Sequence, residues 1–230
     1  MKKFSVIGLA AAMIFMTAVL LCGCSREEIV PPDQMAAAWH KLVVLNDAEP
    51  MKELFGYSSE EAVRKDFLGD DFEMDMASGI TQVLADMGFQ VTDEEASEYY
   101  EASMEAMKKL PFTAELTSED GDHAVVTGKI GYYDADELTK AGNRVAEEAL
   151  AEFGAENLSD EAAYSDFMRL YMDKYMTALK SLTPAEGTKE IPLEFERVKT
   201  EINGKTRSVW LPKDGMAAGQ ALSTAAMGGV

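Results

Sequence analysis

The sequence predicts an α+β fold, with helices packed on a small antiparallel sheet made of two hairpins. Apolar residues recur at helical spacing over residues 35–43 and 96–107. They alternate with polar ones over residues 112–117 and 191–196, as in half-buried strands. Asn203-Gly204, flanked by β-type residues, is a strong two-residue hairpin signal. Helices and hairpins come in separate blocks, which argues against a doubly wound parallel sheet.

Along the chain, Asp33 can cap a first helix carrying Met35, Trp39, Leu42 and Val43, and Asn46 to Pro50 interrupts it. Met51 to Phe55 supplies one further turn. Ser58 with Glu61, and Thr92 with Glu95, have the spacing of capping boxes, so each marks a helix start. The first box opens a stretch with Val63, Phe67, Ile80, Val83, Leu84 and Met87, broken near Gly69-Asp70 and stopped by Gly88. The second opens a helix with Ala96, Tyr99, Tyr100, Met104 and Met107 that Pro111 ends. Phe112, Ala114 and Leu116 then form a strand, and residues 119–122 turn it into a longer β run over 123–133.

Helix resumes over residues 135–153 and ends at Gly154, and Ser159 caps another that runs to Leu182. Ile191, Leu193 and Phe195 mark the next strand, where Pro192 argues for an edge position. Val209, Trp210 and Leu211 lie on its hairpin partner. The Ala- and Gly-rich tail from Met216 reads as a frayed final helix.

Composition excludes several classes. With 21 Lys+Arg against 41 Asp+Glu, the net charge of -20 excludes a generic nucleic-acid binder. Both cysteines fall within the first 24 residues, so the body has no disulfide, Cys-ligated zinc or cysteine nucleophile. Met1-Lys2-Lys3 is a basic start, and residues 4–21 are uncharged. Leu21-Cys22-Gly23-Cys24 follows, and then the charged Arg26-Glu27-Glu28.

Here the chain resembles a bacterial lipoprotein precursor, with Leu21-Cys22-Gly23-Cys24 as its lipobox. The resemblance implies that residues 1–23 are a signal peptide and that Cys24 becomes the N-terminus, carrying diacylglycerol and a further acyl chain such as palmitate. Residues 24–33, with Pro31-Pro32, read as a lipidated N-terminus and stiff tether, and residues 34–230 as a single α+β domain. Signal removal leaves 207 residues and shifts the net charge to -22. An uncleaved anchor, or ordinary secretion with cleavage elsewhere, would also place the body outside the cytoplasm. The layout and the ending Asn203-Gly204-Lys205 with Val209-Trp210-Leu211-Pro212 resemble small Gram-positive-type lipoproteins with an uncharacterised domain. Those domains are compared with cystatin-like or NTF2-like folds, and this resemblance implies no catalytic residues.

Chemistry-bearing motifs are scarce. His40 and His123 are 83 positions apart without Cys partners, so neither a metal nor a cofactor is expected, and both read as surface or boundary residues. Gly128-Lys129-Ile130-Gly131 reads as strand glycines. Asp71, Glu73 and Asp75, and Asp134 with Asp136, lack the glycine and bidentate glutamate of an EF-hand loop. Met168, Met172 and Met176 lie four apart beside Phe167, Tyr171 and Tyr175. That stripe reads as a helix buried against the sheet, as a soft Cu(I) ladder, or as a ligand or peptide groove formed by Met168, Tyr171, Met172, Tyr175 and Met176.

Two functions follow as expectations. The first is a lipid-anchored extracytoplasmic binding or interaction module at the cell membrane or envelope. Its partners are the membrane, through the anchor, and a protein, peptide or small apolar ligand, and its pocket is lined by residues such as Trp39, Tyr99, Tyr132 and Tyr171. The alternative is a small envelope hydrolase, which requires paired acids or a His–acid contact in one pocket.

Overall fold

The computed structural model describes residues 29–69, 78–79, 81–82, 84–85, 91–158 and 161–229. The lipobox with Cys24, the acids Asp71, Glu73 and Asp75, the apolar Ile80, Val83 and Met87, and the caps Gly88 and Ser159 lie outside these residues. Among the described residues, seven α-helices accompany a four-stranded antiparallel sheet of order β1-β2-β3-β4, so the fold is α+β.

Helix α1 (Pro32–Leu45) begins one residue before Asp33, because Pro31 and Pro32 preset the backbone for a helix start. Asp33 lies in the first turn, where a carboxylate favours the helix dipole, and is not the cap. Asn46 ends α1 in the left-handed region at φ 51°, and its N–H donates to Lys41 O. Ile29 and Val30, within the segment assigned to a tether, pack against the core.

Helices α2 (Glu49–Phe55) and α3 (Glu60–Leu68) follow. The cap of α3 is Ser59, which accepts from Ala62 N, one residue later than the Ser58 box predicts. Thr92 and Glu95 do form the reciprocal box that opens α4 (Asp93–Met107).

Strands β1 (Phe112–Asp120) and β2 (His123–Ile130) form the first hairpin, with Phe112 opposite Ile130. A bulge between Leu116 and Ser118 breaks the alternation, leaving Leu116 39% exposed. On β2, Ala124, Val126 and Ile130 are buried. A Cβ on Gly128 would stand 3.0 Å from the Phe112 ring, so glycine here admits close packing. Helices α5 (Ala135–Phe153) and α6 (Glu161–Ser181) cross over to β3 (Lys189–Ile202), which pairs with β2 and with β4 (Lys205–Pro212). Strand β3 is therefore interior, a correction to the edge reading. Pro192 is tolerated because β4 reaches only as far as Phe195, so nothing on that side requires the missing N–H.

The tail is not frayed. Asp214 caps α7 (Gly215–Ala226), and Leu222, Ala225 and Ala226 are buried against the core. Helices α1 and α7 lie on the sheet, whereas α6 packs on α4 and α5. The stripe-bearing helix is thus covered by other helices rather than by the sheet.

Candidate functional site

Convergence of α1, α3, α4, α6 and α7 leaves an apolar groove of about 1150 Å³. Trp39 and Val43 come from α1, and Phe67 and Leu68 from α3. Tyr99 comes from α4, where the apolar positions 96, 99 and 102 face inward. Helix α6 supplies Met172 and Met176. Helix α7 supplies Gly215, Gly219 and Ser223, four apart and hence on one face, with Met216 and Gln220 beside them. A Cβ on Gly219 would meet Val43 at 3.5 Å and Trp39 at 3.7 Å. Small residues on α7 therefore open the space that the tryptophan borders.

The polar atoms of the groove sort into two sets. The Tyr99 hydroxyl donates to Asp173 Oδ1 at 3.4 Å, and burial first, then Asp173, raises its pKa. Ser103 Oγ donates to Tyr99 O at 2.9 Å. Those two are committed to the protein. Gln220 and Ser223, both exposed on α7, keep their side chains uncommitted among the described residues. No Asp, Glu, Lys, Arg or His belongs to the described lining.

The structure divides the five residues of the stripe. Met172 and Met176 border the large groove, and Met172 is 9% exposed in a cluster with Leu84 and Tyr99. Met168, Tyr171 and Tyr175 line a shallower hollow of about 550 Å³ between α5 and α6, beside Leu138 and Gly142. There the Tyr171 and Tyr175 rings stack with centroids 5.9 Å apart. Tyr132 belongs to neither space and lies under the Lys189 ammonium.

Among the described residues no three His, Cys, Asp or Glu side chains gather to hold a metal. Asp134 is occupied as the cap of α5, accepting from Asp136 N and Glu137 N. His123 is exposed, as expected. His40 is not a surface residue: it is 2% exposed and stacks on Phe112 at 3.9 Å between centroids. Its Nε2 has no hydrogen-bond partner, and burial, with Lys41 adding to it, lowers its pKa to about 4. It is a neutral ring in the core. Among carboxylates, Glu95 is held below its ordinary range, first by the Thr92 backbone N–H that it caps.

Sequence reasoning named Trp39, Tyr99, Met172 and Met176 but did not bring the final helix, α7, into the site. The spacing of Gly215, Gly219 and Ser223 was the available signal, obscured by the low complexity of the tail. No described helix is long and apolar enough to cross a membrane.

The molecule is thus an α+β protein with an apolar groove between helices, whose described lining carries no charged side chain. Neither the protein-family models nor the curated proteins give a match to the chain. Among solved structures it is similar to a candidate lipoprotein, ycdA, from Bacillus subtilis, with a TM-score of 0.56 and 16% identity. The match covers 85% of this chain and 55% of that one, so this chain spans about half of its neighbour's length. At that identity the likeness shows a shared fold.

Proposed function

We propose that the protein is a lipid-anchored, extracytoplasmic binding module, held to the cell membrane through acylated Cys24 and receiving an apolar ligand in its groove. One observation carries the binding half: about 1150 Å³ of space bordered by five helices, with apolar and aromatic lining and no charged side chain among the described residues that line it. A hydrolase would need paired acids or a His–acid contact there. The described lining offers neither. The anchoring half is supported by the lipobox and by the lipoprotein description of the structural neighbour. A helix on an antiparallel sheet is compatible with the cystatin-like resemblance, which adds no ligand.

Each half has its own test. Cys24→Ala should accumulate a larger precursor that takes up no labelled fatty acid, and normal processing with labelling would remove the anchor from the reading. The processed protein, reconstituted in phosphatidylcholine vesicles, should bind the uncharged dye Nile red saturably, above the vesicle background. Gly219→Leu should abolish that binding by filling the space beside Trp39.

A further inference from the structure

We infer that the groove accommodates a single acyl chain bearing an uncharged polar head, the tail lying along Met172, Leu84 and Tyr99 and the head at Gln220 and Ser223. This rests on the binding-module reading and adds the chemical class of ligand to it.

Three observations lead to that class. At about 1150 Å³ the groove is at least as large as the roughly 300–1,000 Å³ of ordinary small-molecule sites, room enough for an acyl chain. Thioethers at Met172 and Met176 adapt to a flexible chain better than branched side chains would. The polar groups differ in availability: Tyr99 and Ser103 are spent on internal hydrogen bonds, while the two uncommitted polar side chains are exposed together on α7. An apolar body with a small neutral polar end is the complement of an amphiphile. An extended peptide would bring backbone amides into a lining that leaves them unpaired.

Charge selects the head. With no cation in the described lining and a net charge of -22 once residues 1–23 are removed, an anionic head meets repulsion and no ion-pair partner. Position supplies the source. Ile29, which already packs on the core, is five positions from Cys24, a reach of at most about 18 Å. A body anchored at Cys24 therefore lies next to the membrane from which such lipids come.

The protein's own tryptophans provide the readout. Trp39 borders the groove, and Trp210, the other one, is buried in the main core at 2% exposure. In processed Trp210→Phe protein on phosphatidylcholine vesicles, a monoacylglycerol brominated in mid-chain should quench Trp39 at a few mole per cent. The same bromines in the diacyl host lipid should not. Gly219→Leu should remove the quenching, and so should Ser223→Phe, which covers the case of a folding defect in the first variant. A brominated fatty-acid carboxylate should need more lipid than the monoacylglycerol at low salt, with the gap narrowing as added salt screens the charge.

Equal quenching by the diacyl host would mean bilayer contact and overturn the inference. So would an amphipathic peptide that displaces Nile red where the monoacylglycerol does not, although the binding-module reading would survive. Loss of Nile red binding itself would sink both.

Discussion

Asn203 donates its side-chain amide to Gly56 O at 2.9 Å, and to Phe55 O at 3.3 Å, tying the tip of the second hairpin to the corner between α2 and α3. Its backbone N–H meets Tyr57 Oη at 3.1 Å and Asp66 Oδ2 at 3.2 Å, while the Tyr57 hydroxyl donates to that same Asp66 oxygen at 2.7 Å. Residues some 146 positions apart thus share one network.

The contact separates two roles of Asn203. Asn203→Gly keeps the backbone freedom needed at φ 51° but removes the amide bonds, and should lower stability by about 1–2 kcal/mol. Asn203→Ala should lose roughly 1 kcal/mol more, because a Cβ is disfavoured in the left-handed region. Urea melts measure both, and an Asn203→Gly midpoint equal to wild type would mean that the clamp contributes nothing.

His40 makes acid stability specific to one residue. Its pKa is about 4 in the fold against 6.5 for a free side chain, so the unfolded chain takes up the proton first. Stability is complete above pH 6.5, falls as pH drops toward 4, and levels off below that. The full loss is about 3 kcal/mol at 1.36 kcal/mol per pKa unit. His40→Phe, which retains a ring against Phe112, should flatten that part of the pH–stability curve while carboxylate effects persist. Identical curves for the two proteins between pH 4 and 6.5 would refute the assignment.

Met172 distinguishes wall from filler. It is buried with Tyr99 and Leu84 but borders open space, so Met172→Ala should cost about 2 kcal/mol, the lower end for buried methionines. Met172→Leu should be nearly neutral in stability because volume is kept. Denaturant unfolding of both variants decides it, and an unchanged Met172→Ala midpoint would count against burial.

What the sequence by itself determined is local. The Asn203-Gly204 turn and the Thr92-Glu95 box were legible because the groups that make them lie within a few residues of each other. Alternation over residues 112–116 and 191–195 set the strands, and with them the fold class, since a strand's period of two leaves little choice of face. The tertiary structure decided what covers each face. Nothing in the helical stripe of α6 says that Met172 turns to a groove and Tyr175 to a separate hollow, because that depends on where α4 and α5 pack. Nor does the sequence around His40 announce its burial, which arises when Phe112, 72 residues later, is laid on its ring by the sheet. The groove is the extreme case, since residues from 39 to 223 meet there only after five helices have packed, and one chain carries periodicity but no distances between its elements.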